Sequence, residues 1–234
     1  MDERKSGVKN SKGRLSKRRA IVLLSGGLDS AVTLYLAKYD GFTVNCLIFD
    51  YGQRHKREVE AAKKIARQAG ATYRIIKLSL PWKGSSLLDK KIKIPRPDKA
   101  DGIPSTYVPG RNIIFLSYAV SFAEAAKAGA VYIGAHTQDY SGYPDCRPQF
   151  YRAFSKAVSC GTKAGLEKRI QIKTPLINKT KAEIIKTGAK LKVPFELTWS
   201  CYKGGRVPCA KCESCYFRSK GFSEAGLADP LLKL

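Results

Sequence analysis

The stretch that most restricts what this chain can fold into is Ser25-Gly26-Gly27-Leu28-Asp29-Ser30, set between the apolar run 20–24 and the helix-like run 31–38. A buried strand that turns through two glycines into a helix makes a phosphate cradle. The glycines let backbone N–H groups approach an anion with no Cβ in the way, and the start of the helix adds unpaired donors and the positive end of its dipole. The two common phosphate fingerprints do not fit. The segment has no lysine at G-x-x-x-x-G-K-[ST] spacing and no third glycine at G-x-G-x-x-G spacing, which points away from GTPases and dehydrogenases.

From residue 20 the chain alternates apolar, strand-like runs at 20–25, 42–50, 72–78, 130–136 and 170–176 with helical patterns. That alternation predicts an α/β fold, a five-stranded parallel sheet covered by helices on both faces, with ligands at the carboxyl ends of the strands. Val59, Ala62, Ile65, Ala66 and Ala69 fall on one helical face, as do Phe150, Phe154, Ala157 and Val158. Thr180-Lys181-Ala182-Glu183 reads as a capping box opening a further helix. Residues 81–109, rich in lysine and interrupted by five prolines, read as a lid or binding loop. Residues 1–19 read as a mobile basic arm, either a solubilising extension or an RNA-contacting tail.

At 234 residues the chain can bury roughly 70–75% of its unfolded surface without a metal or disulfide to build its main core. A net charge of +24 attracts nucleotides, nucleic acid or an acidic surface before any specific contact forms, and does not choose among them. Four of the seven cysteines crowd between 201 and 215, a pattern of thiolate ligands in a reducing cytoplasm rather than of secreted disulfides. Cys209, Cys212 and Cys215 recur every third residue, with Cys201 returning as a fourth. This spacing predicts a closed zinc site made of four thiolates, and an iron–sulfur cluster is the competing occupant. No apolar run reaches the length of a bilayer span and none forms the core of a signal peptide, so a soluble protein is expected.

Each strand end carries unusual residues. Phe49-Asp50-Tyr51-Gly52-Gln53-Arg54-His55 follows the second run. Tyr107-Val108-Pro109-Gly110-Arg111-Asn112 follows the long loop, and Ser141-Gly142-Tyr143-Pro144-Asp145-Cys146-Arg147 follows the fourth run. With S-G-G-L-D-S, T-P-L-I-N-K-T-K-A-E-I and C-x7-C-x2-C-x2-C, these stretches resemble 7-cyano-7-deazaguanine synthases, members of the ATP-pyrophosphatase (PP-loop) superfamily, from about residue 20 to 230.

The resemblance implies a Rossmann-like, adenine nucleotide alpha hydrolase-like PP-loop domain over 20–195 and a zinc-binding segment over 196–234. It implies ATP-dependent conversion of 7-carboxy-7-deazaguanine and ammonia into the 7-nitrile, on the way to queuosine or archaeosine. ATP is expected along Leu24, Ser25, Gly26, Gly27, Leu28, Asp29, Ser30, Ala31, Val32, Thr33 and Leu34, with Asp50 nearby. Asp29, with Mg²⁺, Ser30 and Arg111 are expected to act on the pyrophosphate and the transition-state charge. Tyr51, Asp145 and Arg147 are expected to touch the deazaguanine, and Cys201, Cys209, Cys212 and Cys215 to hold zinc. A homodimer is also implied, with nucleic acid and membrane not required. Two departures stand out: Gln149 where the family often has an acid, and Ala210 where glycine is common. A PP-loop tRNA thiolase, with Cys146 as its reactive thiol, and a zinc-knuckle RNA-binding protein are the alternative readings.

Overall fold

The computed structural model describes residues 18–96, 102–136 and 142–232. Most of the basic arm and residues Asp139, Tyr140 and Ser141 lie outside the described residues. The elements run β1 (Arg19–Leu23), α1 (Leu28–Tyr39), β2 (Thr43–Asp50), α2 (Arg57–Gln68), β3 (Thr72–Lys77), α3 (Arg111–Ala125), β4 (Ala130–Tyr132), α4 (Pro148–Gly161), α5 (Lys163–Leu166), β5 (Gln171–Lys173), α6 (Lys181–Lys190) and α7 (Glu213–Ala225).

The five strands pair in parallel in the order β3-β2-β1-β4-β5. After β3 the chain crosses back to the other side of β1, so the strand order reverses between β1 and β4. A crevice opens at such a switch point, outside the carboxyl ends of the strands. The glycine turn after β1 therefore sits at the mouth of the crevice.

Alternation along β1 divides the core into two layers. Ala20, Val22 and Leu24 face one side with Val32 and Leu34 of α1, Val59 and Ile65 of α2, Ile184 and Ile185 of α6, and Phe222 of α7. Ile21 and Leu23 face the other, with Leu116 and Ala119 of α3 and Tyr151 and Val158 of α4. Each fully buried Ile, Leu or Val contributes about 1.5–3 kcal/mol.

All five strands are shorter than their apolar runs, β4 and β5 by four residues each. β4 stops at Tyr132 because Gly134 lies against α1: a Cβ there would come within 2.8 Å of Thr33 Oγ1 and 2.9 Å of the Asp29 carbonyl oxygen. β5 pairs only with this short strand and is equally brief. β1 ends at Leu23, where the chain turns into the loop. The helix after it begins at Leu28, three residues before the expected run, with Gly27 as its N-cap. The capping box at α6 is formed: Thr180 N–H donates to Glu183 Oε2 at 2.8 Å, and Glu183 N–H donates to Thr180 Oγ1 at 3.2 Å. Among the described residues of 81–109 there is no helix or strand, yet Leu87 and Val108 are buried in the second core layer and pin the excursion to the body. No helix among the described residues is long and apolar enough to cross a membrane.

Candidate active site at the switch point

The cradle is held in shape by its own serines. Ser25 N–H donates to Ser30 Oγ at 3.2 Å, Ser30 Oγ–H donates to the Gly27 carbonyl at 3.0 Å, and Gly27 N–H donates to Ser25 Oγ at 3.3 Å. Gly26 is needed twice over. Its φ is +88°, and a Cβ there would lie 2.2 Å from the Glu58 carbonyl oxygen and 2.8 Å from the Ala62 nitrogen. Helix α2 thus rests directly on the loop. From the opposite side Trp199 N–H donates to the Gly26 carbonyl at 2.8 Å, which ties the C-terminal segment to the same residue. Ala31, Val32, Thr33 and Leu34 are buried in α1, so they support the cradle from beneath.

Asp29, in the first turn of α1, meets Lys181 from the first position of α6. Lys181 Nζ donates to both carboxylate oxygens at 3.0 Å, and His136 Nε2 lies 3.4 Å from Oδ2. Burial pushes the Asp29 carboxyl up, yet Lys181 and then His136 outweigh it and hold it well below the usual carboxylate range. A carboxylate offers about four lone-pair sites, so with Lys181 on both oxygens and His136 near Oδ2, Asp29 keeps room for a contact to a metal ion.

Above the cradle lie two adjoining chambers of about 220 and 270 Å³ that share Ser25, Gly27, Asp29, Glu58, Arg111 and Tyr202. The first is the more polar of the two, walled further by His136, Lys181, Ser200, Glu213 and Arg218. The second is walled by Leu24, Phe49, Tyr51, Leu87, Phe115 and Ile133, a largely apolar, aromatic slot that fits a flat heterocycle. Tyr51 packs edge-on against Phe115 with ring centroids 5.3 Å apart. Arg111 opens α3 after the left-handed Gly110. Burial disfavours its charge, but Tyr51, Tyr143 and Asp145 around it keep the guanidinium protonated. Burial pushes the Glu58 carboxyl up to about 7 against the pull of Arg111.

The remaining sequence-predicted residues fall further from the chambers. Asp145 is buried behind the wall, where its Oδ2 accepts the Asn112 N–H at 3.1 Å and so caps α3. Arg147 is exposed at the start of α4, and the Asp50 carboxylate pairs with Lys56 at 3.2 Å. Neither lines a chamber. Cys146 does line both, but burial pushes its thiol up to about 11. Such a thiol stays protonated near neutrality and makes a poor nucleophile.

Cys201, Cys209, Cys212 and Cys215 bring their four Sγ atoms within 4.8 Å of one another, Cys209 and Cys215 at 4.0 Å. Tetrahedral thiolates about 2.3 Å from a zinc ion lie roughly 3.8 Å apart, so the cluster fits that ion and leaves no position open to water. Ala210, in the turn between two of these cysteines, has φ of +55°, the left-handed conformation that favours glycine. The segment is locked down by Arg218, whose Nε and Nη2 donate to the two Asp229 oxygens at 2.7 and 2.8 Å while Nη1 donates to Thr198 Oγ1 at 2.7 Å.

Several chamber residues carried no functional signal in the sequence. Lys181 was legible only as part of a capping box and of the T-P-L-I-N-K-T-K-A-E-I stretch, and His136 only as the end of the fourth apolar run. Glu58, Trp199, Tyr202, Glu213 and Arg218 had no motif reading of their own, although Trp199 and Tyr202 flank Cys201 and Glu213 follows Cys212.

The model of the family described as "Queuosine biosynthesis protein QueC" matches residues 19–226. The chain is 49% identical over 217 residues to a 7-cyano-7-deazaguanine synthase of Thermoplasma volcanium, covering 92% of this chain and 90% of that one. It is 50% identical over 216 residues to the same-named protein of Acetivibrio thermocellus, covering 92% and 97%. With that of Leptospira interrogans serovar copenhageni the identity is 50% over 225 residues, covering 94% and 93%.

Proposed function

The chain belongs to the family of the queuosine biosynthesis protein QueC, and on that premise we propose that it converts 7-carboxy-7-deazaguanine and ammonia into 7-cyano-7-deazaguanine at the expense of ATP. The observation that carries this reading is the S-G-G-L-D-S cradle opening, at the switch point of the sheet, onto a polar chamber continuous with an aromatic slot. The first suits phosphates and the second a flat base.

A carboxylate does not release oxygen until that oxygen becomes a better leaving group. Attack of the carboxylate on the α-phosphorus of ATP breaks the bond to pyrophosphate and leaves an acyl adenylate. Ammonia then displaces AMP to give the amide and a proton. The amide oxygen repeats the attack on a second ATP, and loss of AMP with the remaining N–H protons gives the nitrile. One site serves both rounds because each begins with an oxygen attacking the same phosphorus.

The residues divide the work. The backbone donors of Gly26 and Gly27, the hydroxyls of Ser25 and Ser30 and the N-terminus of α1 hold the departing pyrophosphate. Asp29 would hold Mg²⁺, which when bound shares that charge, and Lys181 fixes the Asp29 rotamer from below. Arg111 faces the charge that develops at phosphorus, Tyr51 lies along the deazaguanine slot, and Asp145 sets the start of α3 and thereby aims Arg111. Cys201, Cys209, Cys212 and Cys215 would hold zinc as a structural ion.

The test is incubation of the purified chain with ATP, ammonium and 7-carboxy-7-deazaguanine. The reading predicts the nitrile with AMP and pyrophosphate, and clean conversion of ATP to ADP and phosphate would rule out the adenylate route. The protonated Cys146 thiol weighs against a thiolase at this site.

A further inference from the structure

Resting on the activity above, the unassigned part of the reaction is where the nitrogen enters. At neutral pH ammonia is almost wholly ammonium, a small cation with four N–H donors and no acceptor. A site that collects it needs a carboxyl that opens onto a cavity, is not already paired, and is held ionised once the cation binds. Among the described residues three carboxylates line the chambers: Asp29, Glu58 and Glu213. The cations lining them are mostly committed. Lys181 holds both oxygens of Asp29, and Arg218 holds both oxygens of Asp229, an acid outside the lining.

Glu58 differs from the other two. It lines both chambers, whereas Glu213 lines only the polar one and is itself engaged with the protein. Its carboxylate accepts no hydrogen bond from any described residue, and the charged or titratable groups facing it are Arg111 of α3, Tyr51 after β2, and Cys201 and Tyr202 of the C-terminal segment. Arg111 is itself balanced by Asp145 behind the wall. Glu58 is also fixed relative to the phosphate loop, because its carbonyl packs against Gly26 so tightly that a Cβ would stand 2.2 Å away. Its side chain is thus anchored beside the cradle and reaches the junction between the phosphate chamber and the base slot. The acyl carbon of a bound adenylate has to lie at that junction.

We propose that Glu58 is the ammonium-binding residue, holding the cation at the junction of the two chambers, where loss of one proton to solvent leaves ammonia with a free lone pair against the face of the activated carboxyl. Its role is confined to the nitrogen donor, so carboxylate activation proceeds without it. Loss of a charge-assisted hydrogen bond of this kind weakens binding about 10- to 100-fold.

The experiment separates the two halves of the reaction in the wild-type chain and in E58Q and E58D, each first shown by its thermal midpoint to be folded. Pyrophosphate release is followed with ATP and 7-carboxy-7-deazaguanine in the absence of ammonium, and nitrile formation is followed against ammonium concentration. For E58Q the expected result is a KM for ammonium raised about 10- to 100-fold, far beyond any change in pyrophosphate release or in the KM for ATP; E58D, which keeps the charge, recovers part of that loss. An unchanged ammonium KM in E58Q, or equal loss of the ammonium-free half-reaction, overturns the inference. A wild-type chain that releases no pyrophosphate fails the adenylate reading instead, so the two failures are told apart.

Discussion

Replacing Gly26 by alanine sets the phosphate loop against helix α2. The new methyl would stand 2.2 Å from the Glu58 carbonyl oxygen and 2.8 Å from the Ala62 nitrogen, both backbone atoms that cannot rotate away. Carbon–oxygen contacts ordinarily begin near about 3.3 Å, so α2 must retreat by about 1 Å or the loop must lift off it. Either movement loosens Val59, Ala62 and Ile65, which α2 buries in the first core layer. Overpacking of this kind costs about 1–3 kcal/mol, and a φ of +88° adds about 1–2 kcal/mol for a residue with a Cβ. For a chain of this length a loss of about 2–5 kcal/mol lowers the thermal midpoint by roughly 4–20 °C. Gly27→Ala is the internal control. Gly27 has φ of −78°, and a Cβ there meets only Ser25 Oγ at 3.4 Å and the Trp199 carbonyl at 3.8 Å, so its midpoint should move by no more than a few degrees. Calorimetry of the two variants beside the parent decides the matter. Equal midpoints for Gly26→Ala and Gly27→Ala would refute the claim that α2 rests on Gly26.

Cys212→Ser should lose zinc and thermal stability together, checked by elemental analysis and calorimetry on the same sample; a brown, iron-containing parent protein would replace zinc by an iron–sulfur cluster. Ala210→Gly, which relieves a left-handed residue at φ +55°, should raise the midpoint slightly, by the equivalent of about 1 kcal/mol or less after the entropy cost of glycine; a fall would show that the turn is not strained. Asp29→Asn should cut nitrile formation by at least about 100-fold while leaving far-UV dichroism intact, and near-parent rates would remove it from the cradle's chemistry. The depressed Asp29 carboxyl contributes stability that is present above its unfolded value near about 4 and is lost as pH falls through the lower folded value. Lys181→Met removes the main cause of that depression, so its destabilisation, measured by denaturant titration, should be largest above about pH 5 and fade towards about pH 2.

What could be read from the sequence was whatever local chemistry or periodicity decides alone. The parallel sheet follows from apolar runs alternating with helical stripes. The cradle follows from two glycines between a strand and a helix, and the cysteine cluster from a three-residue period. The chamber walls could not be read that way, because their members come together only through long-range packing. Lys181 lies 152 residues from Asp29, and nothing in a capping box says that its lysine will turn inward. Arg147 shows the converse. Close to Asp145 in a site-like motif, it ends outside because it is the extended residue between a short turn and the start of α4, and that residue is exposed. The strand ends were overextended for a similar reason: Gly134 and Ala135 are apolar enough to continue β4, and only the approach of α1 shows why they leave the sheet.

The hydrogen bond from Trp199 to the Gly26 carbonyl has a consequence for the order in which the molecule is made. A nascent chain presents its N-terminal half first, and the glycine turn leaves the ribosome long before Trp199, Ser200, Tyr202, Glu213 and Arg218 are synthesised. Until those residues arrive and the four thiols gather, the turn has a floor and one wall but no roof. An unfinished chain therefore cannot enclose a nucleotide, and the segment made later acts as the keystone that turns an open strand end into a room.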